Sequence, residues 1–458
     1  MVRSAASIRS MSFTVSSKLR LCLGMGHLRA VWRTAATSGR CCVIDSRFHA
    51  TVQSQIASRA PAPHKSGMTD AAPNRLLIPV LSAANFVIGM GAFVVVGVLE
   101  PLGRDLGVGA AQAGSLMTVY AMAYAVLSPL LVSLMGGVGR RRVLAIALAL
   151  FALATALSAL VGSFWLLTLS RVLAAAGAGM FTPVAAAVAA TLYPPEQRAR
   201  VLAAVFFGLT LAQVAGVPGG SFIAYTFGWR WAFATVLLVA VPCTVLIWRH
   251  VPAGLRFQPV TLGDLARIMG QGRLMLATLF TGAFLGAIYV LYTYAAPLLS
   301  QTMGFGRDGI SLALAVFGAG AVAGNILGGV MADALGWRRT LIALTAAQVV
   351  ITPVFSLLPL PAGWVFVLFF VWAVSGWSFM AGQQLRLIAL AGPMAPVVLA
   401  LNAAAIYLGA AGGSAIGAIL LQTWGVGALG LGGGLAAALA LLHLLASIRW
   451  APAAPRTA

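Results

Sequence analysis

Few residues in this chain could carry out chemistry. Its 458 residues include eight Asp or Glu, five His and four Cys. The histidines (His27, His49, His64, His250, His443) are dispersed, and the sequence holds no phosphate-binding GxxxxGKS/T run, no His-rich cluster and no Ser-His-Asp set in its polar stretches. Cys22, Cys41, Cys42 and Cys243 are too scattered for a disulfide framework and read as free thiols. No catalytic residue, metal or cofactor is therefore expected. What remains is charge set into apolar surroundings. Arg171 lies inside LTLSRVLAAAGAGM, where a cation costs several kcal/mol unless it meets a partner or water. Two basic knots, GGVGRRRVL from Gly136 and DALGWRRTL from Asp333, each follow a glycine, with Gly139 and Gly336 separated by 197 residues.

The elements that must position these charges follow from composition. With 61% hydrophobic and 8% charged residues and a mean hydropathy of +0.98, the chain has more apolar surface than one soluble core can bury. It reads as an all-α integral membrane protein. Apolar runs of about twenty residues fall near 76–99, 113–135, 143–161, 164–190, 201–226 and 232–248. Six more fall near 275–299, 309–332, 340–358, 364–384, 396–422 and 429–448. These are twelve transmembrane helices in two six-helix pseudo-repeats: an N-terminal bundle over 76–248, a central loop over 249–274, a C-terminal bundle over 275–448 and a tail over 449–458. Residues 1–75 form a basic leader without a span. It is either an Arg- and Ser-rich transit segment or an over-extended start, and Met68 gives the cleaner beginning.

The net charge of +21 does not form one continuous basic face, so nucleic acid is not an expected partner. After residue 75, fourteen arginines, Arg386 among them, fall in loops on the side of the N-terminus, and only Arg104, Arg230 and Arg307 fall opposite. The positive-inside rule then puts both termini and the central loop in the cytoplasm. Arg171 is left as the one cation inside a span. The halves also echo each other, with GGSFIAYTFGW at Gly219 answered by GGSAIGAILLQTWG at Gly412. Parallel repeats of this kind place a substrate site between the halves near mid-bilayer.

In this order, NFVIGMGAFVVVGVLEPLGRDLGV, LMTVYAMAYAVLSPLL, RVLAAAGAG, GLTLAQVAGVPGGSFIAYTFGWRWAF, YTYAAPLLSQTMGF and GNILGGVMADALGWRR resemble the major facilitator superfamily. Within it they resemble the twelve-span drug–proton antiporters related to arabinose-efflux and chloramphenicol-resistance permeases. The basic knots resemble the superfamily's loop motif of Gly, three residues, Asp, two residues, Gly and a basic pair. The second copy keeps Gly329, Asp333, Gly336, Arg338 and Arg339. The first keeps Gly139, Arg140, Arg141 and Arg142 but has no Asp. The resemblance implies a cytoplasmic gate, whereas the arginines alone do no more than orient the spans.

Arg171 occupies the place of the family's span-four arginine, implicated in proton coupling; the other reading is a side chain snorkelling to a membrane edge. The family often carries a glutamate in span one where this chain has Ala92, which leaves Glu100 and Asp105 as the acids of that span. Gly216, Pro218, Gly219 and Gly220 resemble the antiporter signature and make span five a helix pivot or simply a close-packed helix. The superfamily's cavity-lining spans offer Asn85, Tyr289, Tyr292, Trp372 and Trp377 as substrate contacts, and neighbouring spans add Tyr120, Tyr124, Gln213, Asn402 and Tyr407. Tyr289 and Tyr292 share a helix face at i, i+3. Aromatic rings with few charges suit an uncharged or weakly polar amphipathic molecule.

The expected function is secondary active efflux of such a compound, drug or sugar-like, by a monomer in a bacterial inner membrane, with protons and the lipid bilayer as its other partners. The alternative is an uncoupled facilitator or uptake permease, favoured by the missing span-one carboxylate.

Overall fold

In hydrocarbon no water satisfies backbone groups, so an apolar run of about twenty residues closes its own hydrogen bonds as a helix. The computed structural model describes residues 75–255 and 262–450, and every regular element there is helical. Expectations placed on the leader before residue 75, Met68 included, and on the tail after 450 lie outside the described residues. Eleven helical stretches have the length and apolarity of a membrane span. One of them, Arg307–Leu357, runs for 51 residues and reverses at Gly336, whose φ of 74° and ψ of 154° are not helical. It is two spans, and the count is twelve.

Spans one to six are Leu77–Leu106, Ala110–Gly137, Arg140–Leu160, Phe164–Leu192, Arg200–Phe227 and Trp229–His250. Spans seven to twelve are Gly272–Met303, 307–335, 337–357, Ala362–Ala391, Val397–Trp424 and Ala428–Trp450. Large apolar side chains such as Leu160, Leu238 and Ile326 stand exposed along the helices, as lipid-facing residues do. Exposed tryptophans gather at the span ends, Trp165, Trp231, Trp364 and Trp424 at one and Trp248 and Trp450 at the other.

A register of 197 residues relates the halves. Gly107 and Gly304 end spans one and seven with φ of 65° and 64°, and Gly228 and Gly425 end spans five and eleven with φ of 99° and 79°. The equivalent span pairs pack at the same register. A Cβ placed on Gly413 of span eleven would lie 2.1 Å from the Gly286 carbonyl oxygen of span seven. One placed on Gly216 of span five would lie 3.1 Å from the Met90 side chain of span one.

Three hydrogen bonds join the halves at the end bearing those positive-φ glycines. Ser300 donates to Glu100 (3.1 Å), Ser414 to the Gly114 carbonyl (3.2 Å) and Arg307 to Thr226 (3.4 Å). At the arginine-rich end, an apolar cluster of Ile268, Leu274, Ala277, Leu387, Ala391 and Val398 is separate from the main core.

One expectation is corrected. Arg386, assigned to a loop, lies in the second part of span ten, the helix Phe379–Ala391. The apolar LIALA that follows lets the helix continue to Gly392, whose positive φ ends it. Arg386 is fully buried, donates to Ser447, and lies 5.4 Å from the Trp337 ring centroid. Arg171 is therefore not the one cation inside a span.

Candidate functional site

Span four holds Arg171 two turns from its start, fully buried. Its Nη2 donates to the carbonyl oxygens of Gly91 (2.8 Å) and Ala92 (3.3 Å) in span one. The small residues at 91 and 92 let the guanidinium reach that backbone. Its carbon lies 4.5 Å from the ring centroid of Tyr120 and 5.6 Å from that of Phe233. Nε and Nη1 have no hydrogen-bond partner, and among the described residues no carboxylate contacts the group. A snorkelling arginine keeps its tip in contact with the surface, and this one does not.

The two acids of span one stand apart from it. Glu100 is eight residues beyond Ala92, roughly 12 Å along the helix. Glu100 accepts from Tyr225 (2.8 Å), from Ser300 across the halves and from Arg104 in an i, i+4 pair. Asp105 accepts from Trp229 (3.0 Å) and pairs with Arg230. The structure thus does not bring Arg171, Glu100 and Asp105 together. It makes Glu100 a fastening point for spans one, five and seven, a role the sequence did not reveal because Tyr225 and Ser300 are distant in the chain.

The expected substrate residues divide into two groups. Tyr120, Tyr124, Tyr289, Tyr292 and Tyr407 are buried. Tyr124 of span two and Tyr407 of span eleven stack across the halves at 3.6 Å, and Tyr120 lies about one helical turn before Tyr124. Tyr289 meets Tyr292 edge-on at 5.7 Å, Tyr292 stacks on Phe317 at 4.4 Å, and Phe317 lies 5.1 Å from Trp372. The Tyr120 hydroxyl, Gln213 Oε1 and the indole nitrogens of Trp372 and Trp377 are buried without partners. Phe317 escaped the sequence reading, although it lies 197 residues after Tyr120. Surface hollows of 400 and 530 Å³, lined respectively by Ile78 and Arg200 and by Arg104 and Trp229, lie at helix ends away from these rings.

Asn85 and Asn402 form the second group: both polar atoms of Asn85 are engaged, and so is Oδ1 of Asn402. Asn85 donates to the Val205 carbonyl (3.2 Å) and accepts from Thr182 (3.0 Å), tying spans one, four and five. Thr281 donates to Asn402 (2.5 Å), and Gln383 donates to Thr281 (3.0 Å), tying spans seven, ten and eleven. These are equivalent triplets of helices in the two halves. Both asparagines hold helices together.

The comparisons with known proteins bear directly on this arrangement. The sequence pattern of the Major Facilitator Superfamily matches residues 81–395. The chain belongs to that superfamily. It is 30% identical to the inner membrane transport protein YdhP of Escherichia coli (strain K12), over 81% of this chain and 96% of the relative. It is 34% identical to a chloramphenicol resistance protein of Streptomyces lividans, over 56% of this chain and 66% of the relative. Its fold matches the crystal structure of a D-xylose–proton symporter with a TM-score of 0.62 at 17% identity, covering 80% of this chain and 96% of the other. Like other members of the Major Facilitator Superfamily, it is a multi-pass membrane transporter and not an enzyme.

The superfamily's loop motif can now be located. In the second copy, Gly336 supplies the reversal between spans eight and nine, and Thr340 ties it by donating to the carbonyls of Met331 (2.9 Å) and Gly336 (3.0 Å). Asp333, Arg338 and Arg339 are exposed, and Asp333 makes no ion pair among the described residues; Gly329 has open space beside it. In the first copy, Gly139 precedes the helix that Arg140, Arg141 and Arg142 open; Arg141 lies 4.2 Å from the Trp248 ring centroid and the Arg140 amide donates to the Leu255 carbonyl (3.1 Å). In span five the helix widens into a π turn over Ala212–Gly216, just before Pro218, Gly219 and Gly220. Such a turn marks a bend. Span eight rests on it, since a Cβ on Gly318 would lie 2.5 Å from the Gln213 carbonyl oxygen.

Proposed function

We propose that this transporter exports a small uncharged or amphipathic compound across a bacterial inner membrane, in exchange for protons and as a monomer, with both termini in the cytoplasm. The observation that carries the reading is the unequal fastening of the two ends. Hydrogen bonds through Glu100, Thr226 and Gly114 join the halves at the arginine-poor end, while at the arginine-rich end Asp333 is exposed and has no ion-pair partner among the described residues. With the arginine-rich end taken as cytoplasmic, this is a conformation open to the cell interior.

Alternating access then means breaking one set of contacts and making the other. Gly216, Pro218, Gly219 and Gly220 act as the pivot in span five. Asp333, with Gly329, Gly336, Arg338 and Arg339, forms the cytoplasmic latch in the opposite state, and Gly139 with Arg140, Arg141 and Arg142 supports it from the other half. Protonating Glu100 removes the charge from its bonds to Tyr225, Ser300 and Arg104 and so biases the halves toward parting at the outer end. The substrate sits among Tyr120, Tyr124, Gln213, Tyr289, Tyr292, Trp377 and Tyr407. The names of the relatives, one a chloramphenicol resistance protein and one a proton symporter, agree with export and with coupling.

A second reading, an uncoupled facilitator or uptake permease, draws on one observation: Ala92 stands beside Arg171 where a carboxylate would give a proton site. Chloramphenicol accumulation in cells with and without the protein, before and after an uncoupler, separates the two. Lower accumulation that rises when the gradient collapses supports coupled export. Accumulation unaffected by the uncoupler supports the facilitator.

A further inference from the structure

The ring cluster between the halves has a cation behind it and no carboxylate facing it. Arg171 is fully buried with Nε and Nη1 unpaired, and its guanidinium lies against the ring of Tyr120, whose own hydroxyl is buried without a partner. Buried groups left incomplete in this way need an explanation, and a missing ligand is one. The carboxylates whose side chains are described, Glu100, Asp105, Asp264, Asp308 and Asp333, all lie near helix ends. None of them can complete the pair.

We propose that the substrate itself supplies the missing negative charge, so that the site takes an aromatic anion such as a ring-borne carboxylate or acidic phenolate. The inference rests on the transport reading above and narrows its substrate class. Tyr120 donates its hydroxyl to the anion, and the guanidinium behind its ring polarises that O–H and strengthens the bond. The substrate ring takes the place that Tyr124 and Tyr407 now fill for each other, with Tyr292, Phe317 and Trp372 as the far wall. A cationic amphipath finds no counter-charge there and brings its charge toward Arg171, so it is rejected. An inside-negative potential adds to the outward drive on a monoanion.

The test uses the full-length protein in liposomes and three probes sharing one ring: naphthoate, naphthamide and naphthylmethylammonium. Naphthoate should bind at least about tenfold more tightly than the amide, with the ammonium weakest. Tyr120→Phe, which keeps the ring and its volume, should remove the advantage of naphthoate over the amide, and this variant carries the test if Arg171→Ala does not fold. A potassium diffusion potential set by valinomycin should speed naphthoate movement toward the positive side. Equal or tighter binding of the amide or the ammonium, an advantage that survives Tyr120→Phe, or no binding of any probe overturns the proposal. The transport reading is judged separately by the uncoupler-sensitive accumulation of the same three probes in cells, so binding preference and transport can each fail without the other.

Discussion

The two halves share a frame and differ in what they mount on it. In the N-terminal half, span one presents Gly91 and Ala92 to a buried arginine of span four. At the same register in the C-terminal half, Ala92 becomes Tyr289 and Tyr120 becomes Phe317, and the region is filled by stacked rings instead of a cation. The helix triplets tied by Asn85 and Thr182 on one side and by Asn402, Thr281 and Gln383 on the other are equivalent. A repeat can keep its helix-to-helix contacts, which set the rocking axis, while its facing surfaces diverge to give one half charge and the other shape.

At one matched position the frame also differs in tightness, and this is where substitution should have its largest effect. Gly413 and Gly216 hold equivalent positions, yet a Cβ on Gly413 meets backbone at 2.1 Å while one on Gly216 meets the Met90 side chain at 3.1 Å. Gly413→Ala must push spans seven and eleven apart and should cost ~3 kcal/mol, whereas Gly216→Ala should cost under ~1 kcal/mol. Thermal unfolding of the purified variants in detergent measures both. Equal losses would mean that the two span pairs are packed alike. A stable Gly216→Ala protein that has lost transport would locate the pivot there.

The frame was far more legible in the sequence than the site. Run lengths gave the twelve spans because a bilayer fixes how long an apolar helix must be, and Gly336 announced its turn through the repeat with Gly139. Arg386 was misplaced because Gln383 and Arg386 resemble the end of a span, although LIALA continues the helix to Gly392. Asn85 and Asn402 were legible as intramembrane polar groups. That their amides serve neighbouring helices was not, because Thr182, Val205 and Thr281 lie about 100 or more residues away in the chain. The tyrosines were found because rings declare themselves by type, and Tyr289 and Tyr292 by spacing as well.

The next effect concerns the charge that the C-terminal half lacks. Arg171→Ala removes two backbone hydrogen bonds and the contact with Tyr120, and transport should fall by about tenfold or more. Arg171→Lys keeps the charge without the planar fork and should impair transport less. Arg386→Lys sharpens the contrast: Arg386 bonds Ser447 at the arginine-rich end, so this change should alter stability and leave the substrate concentration for half-maximal transport in place. Near-normal transport by Arg171→Ala at every pH would reduce the difference between the halves to packing.

A smaller effect is expected at the fastening of the arginine-poor end. Glu100 is a carboxylate that hydrogen-bonds across the halves, and its charge strengthens that bond. Glu100→Gln fixes the neutral form, so uptake into inverted vesicles should lose its pH dependence while the rate changes only about threefold, the loss of one part-exposed charge-assisted contact. An unchanged pH profile would move coupling away from this end of the molecule.

The smallest effect belongs to Asp333, whose place in the shared motif is taken by Gly136 in the first loop. The first loop has no acid, and in this conformation Asp333 is exposed and has no ion-pair partner among the described residues, so its charge contributes little to the state seen here. Its contribution should come in the opposite state, where a carboxylate at this end can meet a helix N-terminus or an arginine of the other half. Asp333→Asn should therefore slow turnover about twofold, the loss of one surface charge contact of ~0.5 kcal/mol, and leave substrate affinity nearly unchanged. Initial rates over a range of substrate concentrations separate the two parameters. If affinity and turnover fall together, Asp333 acts on the binding site, and the two loops differ in more than the latch.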